Sequence, residues 1–253
     1  MAFMPFITCG DPDMAATVAL VKELASQGVD LIELGFPYSD PIADGPVIQS
    51  SYTRALDKGI SVESIFDGIA SLRDEVDVPL VAMVAYAIVF RMGPQTFAKR
   101  AKDAGFSGLI VPDLPGDEAA EMAAISRQEG LDLIQLVAPT TPPSRVQRIL
   151  KSASGFVYCV SVAGTTGARA QLPAELKEQL ADLRGRTDLP LAVGFGVSRP
   201  EQIDELRGLA DGAIVGSAIV RKVEPLSEQA GDRESIISEI GAFAAEMVAA
   251  TRC

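Results

Sequence analysis

Two carboxylates stand out in the stretch LIELGFPYSDPIADGP, which spans residues 31 to 46. Glu33 lies among apolar residues typical of a buried strand, and Asp44 lies in the proline-rich loop that follows. An apolar site raises the pKa of a carboxyl group, so Glu33 would act as an acid near neutral pH. The prolines stiffen the loop and limit how far Asp44 moves from Glu33. A paired structural acid is the alternative for Glu33, and an ordinary Asp-Gly turn is the alternative for Asp44.

Composition narrows the chemistry that these acids would perform. The 253 residues include no histidine, which excludes an imidazole base, the usual serine or cysteine triads and a histidine-rich metal site. The net charge of −12 opposes binding to nucleic acid or to an anionic membrane. Three scattered cysteines give neither metal-ligand spacing nor a disulfide framework. With no leader or membrane-spanning run, we expect a cytoplasmic protein without a metal site.

The elements that must position the acids alternate along the chain. Eight short apolar runs read as strands: AFMPFIT, VDLIEL, PLVAM, SGLIV, LDLIQL, GFVYCV, PLAVGF and GAIVGS. The segments between many of them have helical spacing, and several end in glycine just before the next strand. Eight such units in about 250 residues predict a (β/α)8 TIM barrel that forms a single domain over residues 1–253. An open doubly wound sheet would instead place its glycine-rich loop after the first strand.

Two adjacent strand ends are rich in glycine. Gly194, Phe195 and Gly196 follow the seventh strand, and Gly216 and Ser217 follow the eighth. Barrels often hold a phosphate at these two loops through backbone N–H groups, so the pair predicts a phosphorylated ligand.

Further polar positions have two interpretations each. The loop SVAGTTGARAQLP after the sixth strand would either close over a substrate or serve as a plain connection. Tyr158 would either offer its hydroxyl to the barrel mouth or pack in the core. For Asp113, in PDLP, we expect loop support.

Together these residues resemble the tryptophan synthase alpha chain family. The likeness is carried by LIELGFPYSDPIADGPVIQ, PFITCGDP, LIVPDLP, SVAGTTG, VGFGVSRPEQ and DGAIVGSAIV, which extend over nearly the whole chain. The resemblance implies a barrel that cleaves indole-3-glycerol phosphate to indole and glyceraldehyde 3-phosphate. It implies that Glu33 and Asp44 are the catalytic acids, and Tyr158 is counted with them as a catalytic residue lining the indole site. The other implied substrate-binding residues are Phe6, Ile134, Thr166, Gly167, Phe195, Gly196, Gly216 and Ser217.

The residues agree with this chemistry. Cleavage of a carbon–carbon bond usually needs a Schiff-base lysine or a metal as the electron sink, and none of the seven lysines falls at a predicted strand end. A protonated indole ring would itself be the sink, with Glu33 as the proton donor to C3 and Asp44 bound to the indole N–H. The resemblance further implies no cofactor in this chain, a partner beta chain that carries pyridoxal phosphate, and an alpha2-beta2 assembly.

Three positions depart from the family pattern. Members usually have a helix ahead of the first strand, often carry Asn after the third strand where Ala87 and Ile88 stand here, and often have a larger or polar residue at Val162.

Three other functions stay open: a free-standing lyase, which the altered third-strand loop favours; a phosphosugar isomerase, which the lack of histidine disfavours; and a non-catalytic phosphate-binding regulatory barrel.

Overall fold

The fold is a closed eight-stranded barrel. The structure, a computed structural model, describes residues 1–41, 44–160, 174–194, 196–227 and 232–252. Neighbouring strands pair in parallel and in chain order, and the last strand returns to pair with the first. The strands are β1 (Ala2–Thr8), β2 (Ile32–Gly35), β3 (Leu80–Met83), β4 (Gly108–Ile110), β5 (Asp132–Val137), β6 (Val157–Val160), β7 (Leu191–Gly194) and β8 (Gly212–Val215). The predicted (β/α)8 barrel is therefore confirmed. The ends of each predicted strand agree with those of the observed strand to within three residues.

Helices connect the strands on the outside of the barrel. Those in the described residues are α1 (Met14–Ser26), α2 (Pro46–Asp57), α3 (Val62–Ala70), α4 (Tyr86–Met92), α5 (Pro94–Ala104), α6 (Ala119–Gln128), α7 (Pro143–Ser152), α8 (Ala174–Arg184), α9 (Glu201–Leu206), α10 (Ser217–Val223) and α11 (Arg233–Arg252). Helix α10 is the short extra helix after the last strand, where barrels often place a phosphate site.

Strand alternation divides the apolar residues into two layers. Side chains that point out of the strands pack under the helices, where Phe36, Phe66, Phe97 and Phe106 form one aromatic group. Side chains that point inward fill the barrel, and the side chains of Ile48 and Tyr52 of α2 join this inner layer from above. Because the side-chain period of a strand is two residues, the inward positions of β2 are Leu31, Glu33 and Gly35.

The segment YAIVF is helical. Ala87 and Ile88 belong to α4, so the expectation of a loop at these two positions is wrong. The helix is fixed at its start by Asp113, whose carboxylate accepts a hydrogen bond from the backbone N–H of Tyr86 at 2.7 Å. That bond agrees with the expected supporting role of Asp113. Val162 and the small-residue loop after β6 lie outside the described residues.

Two cavities lie away from both acids. One of about 480 Å³ opens at the amino ends of the strands, between Met4, Val81 and Ile134. Another of about 570 Å³ lies outside the barrel between α6 and α7. In the described part of the chain, no helix combines the length and the apolar character that crossing a bilayer requires.

Candidate active site at the mouth of the barrel

Strand β2 carries Glu33 into the barrel interior. Its backbone lies opposite Phe6 of β1 and Val81 of β3. The side chain is fully buried, and neither carboxyl oxygen has a hydrogen-bond partner among the described residues. Burial raises the pKa of Glu33 to about 8. A neutral, proton-bearing carboxyl group therefore stands at this position at neutral pH.

Asp44 lies in the loop between β2 and α2, at the carboxyl end of the strand that carries Glu33. The loop backbone is held by two contacts: the N–H of Asp44 donates to the carbonyl of Pro41 at 3.4 Å, and its carbonyl accepts from the side-chain amide of Gln49 at 2.7 Å. No described residue donates a hydrogen bond to the Asp44 carboxylate, and partial burial raises its pKa to about 6. At neutral pH Asp44 is mostly ionised while Glu33 is mostly protonated. Glu33 can therefore donate a proton while Asp44 accepts a hydrogen bond as an anion.

Tyr158 lies on the inner face of β6. Its ring covers Gly194 of β7 so closely that a Cβ at Gly194 would lie 2.3 Å from the phenolic oxygen. Burial raises the pKa of this phenol well above its usual value, and the charges of Glu33 and then Asp44 raise it further. The structure thus brings Tyr158 to the same mouth as the two acids. Its hydroxyl stays protonated and is available as a donor.

Tyr52 is a second buried phenol at the mouth, and sequence reasoning missed it. It projects inward from α2 and is 4% exposed. Burial raises its pKa, and Asp44, Cys9 and Glu33 add to the shift in that order. The sequence did contain a signal, because Ile48, Ser51, Tyr52 and Ala55 are the buried face of a helix at the expected three- and four-residue spacing.

Helix α2 is anchored to the first strand by polar contacts. Arg54 donates two hydrogen bonds to the fully buried carboxylate of Asp11, at 3.0 and 2.7 Å. The same guanidinium lies 3.4 Å from Glu224, which follows α10. Closer to the barrel axis, the hydroxyls of Thr8 and Ser51 are 2.6 Å apart. These contacts hold the helix that begins two residues after Asp44.

Apolar residues line the space beside the acids. Phe6, which lies opposite Glu33 in the pairing of β1 with β2, is almost completely buried in the inner layer. Ile134 is also almost completely buried, but it lines the cavity at the amino ends of the strands. The Phe6 ring lies over Gly35, where a Cβ would be 2.4 Å from the ring, so only glycine lets the aromatic side chain take this place. A flat, apolar substrate group suits such a lining.

The predicted phosphate residues that the structure describes fall at the ends of β7 and β8. Gly216 and Ser217 form the start of α10, and Gly216 lies against Phe6. Gly196 follows β7 with a φ of 38°, a backbone conformation that favours glycine. Thr166, Gly167 and Phe195 lie outside the described residues, so their placement stays a prediction.

Comparison with known proteins gives one consistent result. A family model described as the tryptophan synthase alpha chain matches residues 1–252. The tryptophan synthase alpha chain of Alkaliphilus metalliredigens is 45% identical over 235 residues, which cover 93% of this chain and 87% of that protein. The corresponding protein of Rhodopirellula baltica is 48% identical over 232 residues, covering 90% of this chain and 84% of that one.

Solved structures show the same similarity in three dimensions. The tryptophan synthase A-subunit of Pyrococcus furiosus superposes with a TM-score of 0.88 at 35% identity, and 98% of each chain is covered. A chain of the tryptophan synthase complex from the same organism gives a TM-score of 0.87 at 34% identity, with 98% of each chain covered.

Proposed function

This chain belongs to the tryptophan synthase alpha chain family and is a lyase of tryptophan biosynthesis, and we propose that it cleaves indole-3-glycerol phosphate to indole and glyceraldehyde 3-phosphate. The observation that carries the proposal is the pair of acids at the mouth. Among the described residues, the buried Glu33 carboxyl group has no hydrogen-bond partner and the Asp44 carboxylate, at the same end of the barrel, receives no hydrogen bond.

The two acids have different roles when the indole ring is protonated. The Glu33 carboxyl group donates its proton to C3 of the indole ring, which leaves the ring positively charged. The Asp44 carboxylate accepts a hydrogen bond from the indole N–H and stabilises that charge. A base, either the Glu33 carboxylate left by this donation or another group, then accepts the proton of the adjacent glycerol hydroxyl, and the oxygen of that hydroxyl forms an aldehyde. The electron pair of the broken carbon–carbon bond returns to the ring and restores neutral indole.

The protonated ring takes the place of an external electron sink. A Schiff base would need a lysine at the mouth, yet all seven lysines lie in helices or directly after one: Lys22, Lys58, Lys99, Lys102, Lys151, Lys177 and Lys222. Lysines placed there support a mechanism without a Schiff base. We further propose that the reaction needs no metal and no cofactor bound to this chain.

The remaining predicted residues divide between the two halves of the substrate. Phe6, Ile134, Tyr158 and Thr166 would contact the indole ring, and the buried apolar side chain of Phe6 supports a flat apolar substrate group at the mouth. The phosphate would be bound by backbone N–H groups of Gly167, Phe195, Gly196, Gly216 and Ser217. The first N–H groups of a helix have no partner within that helix, which supports an anion site at the start of α10.

We propose that the chain works with a beta chain that carries pyridoxal phosphate and consumes the indole, in an alpha2-beta2 assembly. The solved tryptophan synthase complex of Pyrococcus furiosus, which contains a chain similar to this one, supports the partnership. The partner would act through the segments after β2, β3 and β6. If it prefers the closed form of these segments, it raises the population of the competent geometry.

The test is steady-state release of indole from indole-3-glycerol phosphate while the cognate beta chain is titrated in, together with a sizing experiment. We expect a slow rate for the isolated chain and an increase of roughly 5- to 150-fold at saturation, the range of typical coupling energies. A rate that stays constant, with no larger complex, would favour a free-standing lyase. Absence of indole release in both conditions would refute the proposed reaction and favour a regulatory barrel.

A further inference from the structure

The cavity of about 570 Å³ between α6 and α7 lies on the outside of the barrel. The two helices form its walls, and β5 together with the loop after β4 forms its floor. Short side chains on α6 leave the space between the helices open: Ala119, Ala120, Ala123 and Ala124. The volume falls within the range of about 300–1,000 Å³ that is typical of small-molecule sites.

The floor of this cavity carries a largely buried amide. Gln135 lies on the outward face of β5 between Leu133 and Val137, which pack under the helices. It lines the cavity and is 8% exposed. Its Nε2 atom donates one long hydrogen bond, to Ser152 Oγ at 3.4 Å, and its carbonyl oxygen accepts none from the described residues. An amide at a position where the strand otherwise carries apolar side chains, with hydrogen-bonding capacity to spare, indicates a polar contact for a ligand.

Positive side chains surround the same cavity. Arg127 lies in the last turn of α6, and Arg145, Arg148 and Lys151 lie on α7. All four are exposed, and none makes an ion pair with any residue that the structure describes. With one carboxylate, Asp117, the lining keeps a net charge of +3, whereas the whole chain carries −12. The cavity therefore attracts anions on a protein whose net charge repels them.

The charges of α7 do not stabilise the helix that carries them. Arg145 lies in the first turn, where the helix dipole disfavours a positive charge, and no acid is present in that turn. Arg145, Arg148 and Lys151 follow at intervals of three residues, so neighbouring like charges lie side by side on the helix surface and repel each other. A bound anion would relieve this repulsion.

We propose that the cavity between α6 and α7 binds a small organic anion with an apolar body. The guanidinium groups of Arg145 and Arg148 bind the anionic group at the rim, since their planar donors suit a carboxylate or a phosphate. The apolar body lies against Leu114 and Ile149, and the amide of Gln135 binds a polar atom of the ligand at the floor.

This ligand is distinct from the substrate of the proposed reaction, because neither Glu33 nor Asp44 lines the cavity. An acidic segment of another protein is the competing occupant. A concave space of limited volume, with a single largely buried amide at its floor, suits a compact molecule better than an extended segment.

The test is isothermal titration calorimetry of the full chain with 2-naphthoate, an apolar anion, and with 2-naphthamide, its neutral counterpart of similar shape. We expect one saturable site for 2-naphthoate and at least tenfold weaker binding of 2-naphthamide, because charge-assisted hydrogen bonds are the stronger ones. The double variant Arg145→Gln/Arg148→Gln should weaken binding of 2-naphthoate by at least about tenfold. The matched control, Lys58→Gln/Lys177→Gln, removes the same charge from exposed positions outside the cavity and should change the affinity by less than about twofold.

A second variant tests the place of binding. Ala120→Phe puts a large side chain on the exposed wall of α6 and should weaken binding of both naphthalene probes. Unchanged binding by this variant, equal affinity of the wild type for the two probes, or the absence of saturable 2-naphthoate binding would overturn the inference. The inference also fails if the arginine variant binds 2-naphthoate normally but no longer binds the cognate beta chain, because the cations would then serve a protein partner. None of these results depends on whether the chain releases indole.

Discussion

Replacing Glu33 by glutamine should make the protein more stable and nearly inactive. Burial raises the pKa of this carboxyl group from 4.5 to about 8, so the folded state binds the proton more tightly than the unfolded state. The stabilisation that the folded state gains from binding this proton more tightly is fully present below about pH 4.5 and is lost as pH rises towards about 8. At pH 7 the loss amounts to about 3.5 kcal/mol, from about 2.5 pH units at about 1.4 kcal/mol each. Glutamine carries no titrating group and avoids this loss.

The measurement is urea unfolding of the isolated chain at several pH values between about 5 and about 8. Glu33→Gln should gain stability relative to the wild type as pH rises, from a small difference at the acidic end to about 3.5 kcal/mol at neutrality. The control is Glu178→Gln, an exposed acid in the middle of α8, which should show no such trend. Turnover of Glu33→Gln should fall by at least ~100-fold, the scale of general acid catalysis.

Two results would refute this reasoning. A stability difference that stays constant from acidic to neutral pH would mean that the Glu33 carboxyl group is not held protonated by its surroundings. Indole release close to the wild-type rate would mean that its proton is not the one transferred. A gain in stability together with a loss of turnover would show that the fold tolerates an unpaired buried acid because the reaction needs it.

Three further outcomes are expected. The kcat/KM profile should be bell-shaped, rising through about pH 6 as Asp44 ionises and falling through about pH 8 as Glu33 loses its proton; a rate that is flat across this range would contradict the assignment of acid and acceptor. Arg54→Met should destabilise the chain by about 3–5 kcal/mol in urea unfolding, because its fully buried carboxylate partner is left unpaired, and a loss below about 1 kcal/mol would argue against the anchor. Gly194→Ala should lower turnover, since the added Cβ would overlap the Tyr158 ring, and an unchanged rate would show that the ring position is unimportant.

The fold was largely predictable because barrel strands are buried on both faces. Continuous apolar runs marked all eight strands, and the alternation around Glu33 correctly placed it opposite to Ile32 and Leu34. Periodicity reports which face of an element is buried, but not which element covers it. The pairing of Asp11 with Arg54, 43 residues apart, therefore had no signal in either local pattern.

From the sequence, a candidate site residue could be singled out only where its type is unusual for its local surroundings. Glu33 and Asp44 were singled out because an acid in an apolar strand and an acid in a stiff loop are unusual locally, and their catalytic roles stay predictions. Tyr52 was not singled out, since an aromatic residue on a helix face looks like ordinary core until the fold turns that face over the mouth. Ala87 and Ile88 were misplaced because their segment is apolar, short and preceded by a strand. The cytoplasmic location, the single-domain extent and the roles of all the predicted site residues stay predictions.

Pairing of the first strand with the last also determines when during folding a usable site comes into existence. Ala2 lies opposite Gly212, and Arg233 near the carboxyl end makes an ion pair with Asp13 at 2.6 Å. Contacts between such distant parts of the chain require closure of a very long loop, which is slow compared with forming neighbouring β/α units. Phe6 contacts Gly35 on one side and lies against Gly216 on the other, so it bridges the two ends of the chain. During refolding, helical content should therefore return before substrate binding, because Phe6, Gly35 and Gly216 are brought together only when the barrel closes.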